Sequence, residues 1–296
     1  MNVLDFQTRT EAPKAVDTHA HVFAKGLDLA TTRRYAPDYD ATLDAFLRQI
    51  DTHRISHAVL VQPSFLGTDN AYLLDALERC PDRLRGVAVV RQDLSAQSMR
   101  EMREQGVAGV RLNLVGQPVP DLSSPELKSF LRKVADVGWH VELHKEAKDL
   151  PPLIEAVLSA GARAVVDHFG RPDPAQGTSD PGFQSLLRFA DSGQVWVKLS
   201  AAYRSAMRGS TFSHGAGFAR DATRRLLSAF GTQRLMWGSD WPHTQFERVT
   251  DYGETLSTFA QLGLQPQVAE AVLCTTPNDF YGFAALTRRS KSQSVS

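Results

Sequence analysis

The sequence predicts an α/β protein of one domain, a (β/α)8 TIM barrel. Three observations carry this: eight short apolar runs, amphipathic segments between them, and ionisable residues gathered where the runs end. The runs cover residues 15–21, 58–62, 84–90, 109–114, 140–144, 164–168, 195–200 and 234–240. Most are rich in valine, and they are nearly continuous rather than alternating, which is how strands buried on both faces read. Helical patterns separate them over residues 42–53, 70–78, 95–105, 126–137, 150–159, 183–190 and 218–230. Proline and glycine punctuate the joints, as at Cys80-Pro81, Gly106, Gly138 and Gly161. A doubly wound open sheet would show the same alternation, and the count of eight favours the closed barrel.

No shift in composition marks a second domain, and α/β barrels commonly run to about 250 residues as one unit. The expected organisation is an N-terminal extension over residues 1–14, the barrel over 15–286 and a frayed tail over 287–296. Hydrophobic residues make up 42% and charged residues 22% of the chain, and Lys+Arg and Asp+Glu both total 33. A net charge of zero gives no electrostatic case for nucleic acid or an anionic membrane as partner. The first residues carry Asp5 and Glu11 without an apolar core, unlike a signal peptide. No run approaches the ~18 residues of a membrane span. Cys80 and Cys274 have neither metal-type spacing nor a disulfide framework, so two thiols in a reducing cytoplasm are expected. Residues 116–125, 172–182 and 201–217 read as long loops on the C-terminal face, where barrels of this kind place their chemistry.

Run one ends in Asp17-Thr18-His19-Ala20-His21, run five in His144, run six in Asp167-His168, and run eight in Asp240 followed by Trp241-Pro242-His243. A closed barrel brings all these ends to one rim. Side chains alternate along a strand, so His19 and His21 point to the same side. Two imidazoles on one cavity can share a divalent ion, and a third imidazole with a carboxylate would complete a four-ligand site. Tyr35 and Tyr39, beside Arg33-Arg34, either line the mouth or pack on the first helix. Trp139, Trp196 and Trp237 read as core packing, whereas Trp241 follows Asp240 and is expected near the site.

The stretches Val16-Asp17-Thr18-His19-Ala20-His21-Val22-Phe23, Gly109-Val110-Arg111, Gly138-Trp139-His140-Val141, Val166-Asp167-His168-Phe169-Gly170-Arg171-Pro172-Asp173 and Trp237-Gly238-Ser239-Asp240-Trp241-Pro242-His243 resemble the amidohydrolase superfamily in its amidohydrolase-2 branch. Within the branch the likeness is greatest to the 2-pyrone-4,6-dicarboxylate hydrolases, which are lactonases. The resemblance implies that Asp240 activates the attacking water, and that His19, His21 and His168 surround that water and polarise the substrate carbonyl. It implies that Arg111, Arg171 and Arg204 hold substrate carboxylates, with His243 beside them. This agrees with the chemistry of the guanidinium, which matches a carboxylate bidentately.

Two positions depart from the pyrone-dicarboxylate pattern. Gln117 stands where those enzymes have an arginine, and His144 where they have a tyrosine. Those hydrolases work without a metal, whereas related decarboxylases hold zinc with a strand-one pair, a strand-five histidine and the strand-eight aspartate. The corresponding set here is His19, His21, His144 and Asp240. The cofactor expectation is therefore none or one divalent metal, zinc by preference; Lys145 should point away from the mouth and not bridge two ions. The expected function is a cytoplasmic hydrolase that opens a carboxylated lactone from aromatic catabolism, with a small anionic substrate. A zinc-dependent non-oxidative decarboxylase is the alternative. By analogy with other barrels a homodimer is expected.

Overall fold

The structure is a computed structural model that describes residues 14–205 and 212–283. The expected extension, apart from Lys14, and the expected tail lie outside the described residues. Eight parallel strands follow chain order around the sheet. They are β1 (Val16–Ala20), β2 (His57–Val61), β3 (Leu84–Ala88), β4 (Val107–Asn113), β5 (His140–His144), β6 (Arg163–Val166), β7 (Val195–Ser200) and β8 (Leu235–Gly238). Two hydrogen bonds just beyond β8 close the ring: the His21 amide donates to the Trp241 carbonyl, and the Asp240 amide to the His19 carbonyl, each at 2.7 Å. The open-sheet reading is thereby excluded.

The helices begin where short polar side chains can accept from free amides. Thr42 caps α1 (Leu43–Thr52), Ser95 caps α3 (Ala96–Glu104), Ser124 caps α4 (Pro125–Asp136) and Asp180 caps α6 (Pro181–Arg188). Between these lie α2 (Ala71–Arg79) and α5 (Leu150–Ser159), and α7 (Phe212–Phe230) follows β7. Helix α7 starts inside the stretch expected to be loop. The chain after His243 also holds three helices that the sequence reading did not find. They are α8 (Tyr252–Ala260), opened by an Asp251–Glu254 capping box, α9 (Pro266–Glu270) and α10 (Thr276–Tyr281).

Helix faces such as Leu43, Phe46 and Ile50 of α1 bury against the outside of the sheet. The end of α10 and the residues just past it cover the ends where strands begin: Phe283 packs on His57 and Tyr281 on His140, at ring separations of 4.6 and 5.6 Å. Trp139 and Trp237 are buried core residues, as expected. Trp241, expected near the site, packs its indole against the core at Phe46, 5.3 Å away, while its carbonyl accepts from the His21 amide at the mouth.

Glycine permits the close approach of β8 to β1. A Cβ on Gly238 would lie 2.6 Å from the His19 Cβ and 2.9 Å from the His19 amide nitrogen. Gly238→Ala should therefore push β8 off β1 and lower stability by about 1–3 kcal/mol. Gly217→Ala, on α7 with nothing within 4 Å of the new Cβ, should be neutral or stabilising. Thermal melting of both variants checks this, and equal melting temperatures would contradict it.

Candidate active site

Asp240 stands just past β8 with a backbone φ of 63°. His168 and Arg171, after β6, also have positive φ values, 52° and 47°. L-residues other than Asn and Asp seldom take this conformation, so the backbone is strained at His168 and Arg171, whereas Asp240 adopts it more readily.

The two oxygens of Asp240 have different surroundings. Oδ1 faces three imidazoles: His19 Nε2 at 3.7 Å, His21 Nε2 at 3.6 Å and His168 Nε2 at 3.8 Å. Oδ2 accepts from the Tyr203 hydroxyl and from Arg204 Nε at 2.7 Å. Burial opposes ionisation of Asp240, yet Arg204 and the histidines hold its carboxyl well below the usual range. Tyr203 follows β7, and no motif announced it; only its place next to Arg204 could have drawn notice.

Each imidazole is held from behind. His21 Nδ1 lies 2.7 Å from the Val61 carbonyl, so it carries the proton and donates, leaving a lone pair on Nε2 toward the site. His168 Nδ1 meets Ser200 Oγ at 2.8 Å. His19 Nδ1 is 3.3 Å from Asp167 Oδ1, 3.5 Å from Glu142 Oε1 and 3.1 Å from Lys198 Nζ. Burial pushes His19 well below its ordinary pKa and His168 to about 3, so both are neutral at working pH.

Beneath the histidines lies an ionic network that the sequence reading did not anticipate. Lys198 donates to Glu142 and lies 3.8 Å from Asp167. Arg111 donates through Nε and Nη2 to Asp167 Oδ2, at 3.1 and 2.8 Å, and lies 3.3 Å from Glu142. Burial, and then the charge of Asp167, lift Glu142 to about 7.

The predicted residues therefore divide. His19, His21, His168 and Asp240 converge as expected. Arg111 and Arg204 were expected to face substrate carboxylates, but protein carboxylates already neutralise them. Arg171 is different, because among the described residues no carboxylate pairs with it, and its buried Nε has no hydrogen-bond partner. His243 is buried with its Nδ1 3.5 Å from the Tyr203 hydroxyl; it backs the site rather than lining the mouth. Tyr35 and Tyr39 both donate to Glu247 Oε1, at 3.0 and 2.7 Å, tying the loop after β1 to the loop after β8. Lys145 turns away to Glu146, Asp149 and the Gln117 carbonyl, as its position in the strand implied.

The expected four-ligand metal set does not assemble. His144 Nδ1 faces Arg111 Nη2 at 3.1 Å, and its Nε2 faces Arg171 Nη1 at 3.3 Å. His19, His21 and Asp240 do form a group whose ligand atoms lie within 4.8 Å of one another. Three donors with an open fourth position fit a single catalytic divalent ion. The bond from His21 to a carbonyl and the carboxylates behind His19 are the outer contacts that such ligands usually make.

The family model for amidohydrolases matches residues 16–283. The chain belongs to the amidohydrolase family. It is 32% identical to a 2-pyrone-4,6-dicarboxylate hydrolase of Comamonas testosteroni, over 90% of each chain. It is 29% identical to a 4-sulfomuconolactone hydrolase of Rhizobium radiobacter, again over 90% of each. A crystal structure from Pseudomonas putida, assigned to 2-pyrone-4,6-dicarboxylic acid hydrolase, superposes with a TM-score of 0.86 at 47% identity, covering 91% of this chain and 98% of that one. Solved decarboxylases of this fold share 13% identity with the chain, which bears on the fold alone.

The buried histidines of this amidohydrolase make its stability depend on pH. Burial lowers His168 to about 3, and His57 and His243 to about 4. In the unfolded chain they titrate near 6.5, so below that pH the unfolded state binds more protons and folding weakens. Asp17 and Glu142, raised to about 6 and 7, act in the opposite sense. They are outnumbered, because His19, His140 and His144 are also held well below the usual imidazole range, chiefly by burial. The melting temperature should fall steadily as pH drops from about 6.5 to about 4. A flat or rising profile over that window would count against this burial pattern.

Proposed function

We propose that this amidohydrolase opens the ring of a carboxylated lactone by attack of water, with Asp240 as general base. The observation that carries the reading is the asymmetry of Asp240: one oxygen fixed by Tyr203 and Arg204, the other facing three histidines without a close hydrogen bond. The lactone-opening relatives support the substrate class, and the arginines around the mouth support an acidic one. The decarboxylase reading relied on His144 as a ligand, and the guanidinium groups on both its ring nitrogens weigh against it.

Ester hydrolysis needs an activated water, stabilisation of the carbonyl oxyanion and a proton for the leaving oxygen. Asp240 Oδ1 takes the proton as the water oxygen adds to the carbonyl carbon. In the tautomer whose Nδ1 accepts from the Ser200 hydroxyl, His168 presents an Nε2–H that can bond the developing oxyanion. His21, with its proton committed to Val61, offers only a lone pair and can receive a proton but not donate one. The ring C–O bond then breaks, the ring oxygen takes up the proton that Asp240 received from the water, and a new carboxyl group appears in the product. A divalent ion held by His19, His21 and Asp240 would supply Lewis-acid polarisation of that carbonyl.

No helix among the described residues is long and apolar enough to cross a membrane. The free thiols of Cys80 and Cys274 suit a reducing cytoplasm, the compartment proposed here.

Asp240→Asn should reduce lactone hydrolysis by roughly 10²–10⁴-fold, the usual contribution of a positioned base. Circular dichroism should show the fold retained, since the amide keeps the shape of the carboxyl. Steady-state assays on pyrone and muconolactone carboxylates test both claims. Wild-type rates in the variant would remove Asp240 from the mechanism, and an inert wild-type enzyme would remove the reaction.

A further inference from the structure

Lys198 is fully buried on β7, beneath the floor of the site. Its Nζ donates to Glu142, lies 3.1 Å from His19 Nδ1 and stands 3.8 Å from Asp167 Oδ1. Glu142 alone neutralises the ammonium. Stability does not explain the pair, since apolar side chains of similar volume often replace a buried ion pair without loss. What sets Lys198 apart is the proton it directs at an imidazole of the site.

Two kinds of group compete for His19 Nδ1. An ammonium only donates, so opposite Lys198 this nitrogen must present its lone pair. Opposite a carboxylate it would instead carry the proton. Asp167 Oδ1 is 3.3 Å away and Glu142 Oε1 3.5 Å, both farther than the lysine, and neither oxygen has a hydrogen-bond partner. Each oxygen already has a cation nearby: Asp167 Oδ1 faces Lys198, and Glu142 Oε1 lies 3.3 Å from Arg111 Nε. A proton on Nδ1 would face the ammonium at 3.1 Å, donor against donor. On the other side of the ring, Arg111 Nη2 is 3.5 Å from His19 Nε2, but it is closer to Asp167 Oδ2, at 2.8 Å, and to His144 Nδ1, at 3.1 Å. A contact of 3.5 Å is weak and does not decide where the proton sits.

We infer that Lys198 is a positioning residue: it holds His19 in the tautomer that carries its proton on Nε2, and so makes the ring a donor toward the mouth. The three imidazoles around Asp240 Oδ1 then have different parts. His19 joins His168 as an N–H donor, and His21, with its proton on Nδ1, offers a lone pair. The oxyanion formed in lactone opening gains a second donor. That consequence rests on the proposed reaction, whereas the tautomer does not. A divalent ion bound through His19 Nε2 would need the opposite tautomer, with Nδ1–H turned to Asp167.

The experiment is nitrogen NMR of isotopically labelled histidines, with a chelator present, in wild type and in the double variant Lys198→Met/Glu142→Leu. Removing both partners keeps the floor balanced, because Arg111 and Asp167 still pair. Comparison with His19→Asn assigns the signals. In wild type, His19 Nε2 should resonate as a protonated nitrogen and Nδ1 as an unprotonated one. In the double variant the two should exchange. Its kcat for lactone opening should fall by roughly 10²-fold or more, the scale of one lost oxyanion donor, with KM nearly unchanged. A wild-type His19 protonated on Nδ1, or a folded variant that keeps the proton on Nε2, would overturn the assignment. Exchange without loss of kcat would remove Lys198 from the reaction. The wild-type spectrum decides the tautomer even where the variant does not fold. It is also independent of turnover, so a wild-type protein that hydrolyses no lactone would remove the proposed reaction and leave the tautomer to be read.

Discussion

Everything at the mouth depends on how Asp17 closes the barrel. Its buried carboxylate accepts four hydrogen bonds: Oδ1 from the His19 and Ser239 amides at 3.1 and 2.9 Å, and Oδ2 from the Ser239 and Tyr252 hydroxyls at 2.6 and 3.1 Å. No cation helps, and burial outweighs the donors enough to raise its pKa to about 6. A buried acid so placed is costly unless every lone pair is satisfied, and here they are. The bonds join β1, the turn after β8 and the start of α8. They fix the one register in which His19 and His21 reach Asp240, more than two hundred positions away in the chain.

The interior below the site is electrically balanced. Lys198 and Arg111 face Glu142 and Asp167, two charges of each sign, all fully or nearly fully buried. Removing one member of such a set leaves an uncompensated buried charge, which typically costs about 3–5 kcal/mol. Paired charges hold the floor of the site in a fixed arrangement, the condition for dipoles to act without reorganising during the reaction.

How much of this the sequence carried depends on what each residue's neighbours are. The strands were legible because a strand buried on both faces must be apolar almost throughout, and valine runs such as Ala164-Val165-Val166 say so. The rim histidines were legible because strand ends in a barrel converge. Glu142 and Lys198 were not: each is a single charge inside an otherwise apolar strand, and its partner lies on another strand, so only three-dimensional register reveals the pair. The same holds for Tyr203 and for the pairing of Arg111 and Arg204 with protein acids, since a guanidinium suits a protein carboxylate as well as a substrate one. Helices α9 and α10 escaped because they are short, and a π turn over Ala271–Thr275 interrupts the period between them. The closing role of Asp17 was hidden because three of its four hydrogen-bond donors, on Ser239 and Tyr252, sit toward the far end of the chain.

The environment of Asp240 also bears on the bond being cut. Tyr203 and Arg204 orient the carboxylate, but the same contacts hold its pKa well below the usual range and weaken it as a base. A strong base would abstract a proton more readily but would spend part of its time protonated. A weak one is always ionised and supplies less driving force. That exchange suits a substrate whose leaving oxygen departs easily, such as an enol ester within an unsaturated lactone. It suits an amide poorly, because the leaving nitrogen needs both a stronger nucleophile and a ready acid, and the neutral, strongly depressed histidines here are poor reservoirs of protons. The fold's wider family name notwithstanding, the electrostatics of this mouth favour activated esters.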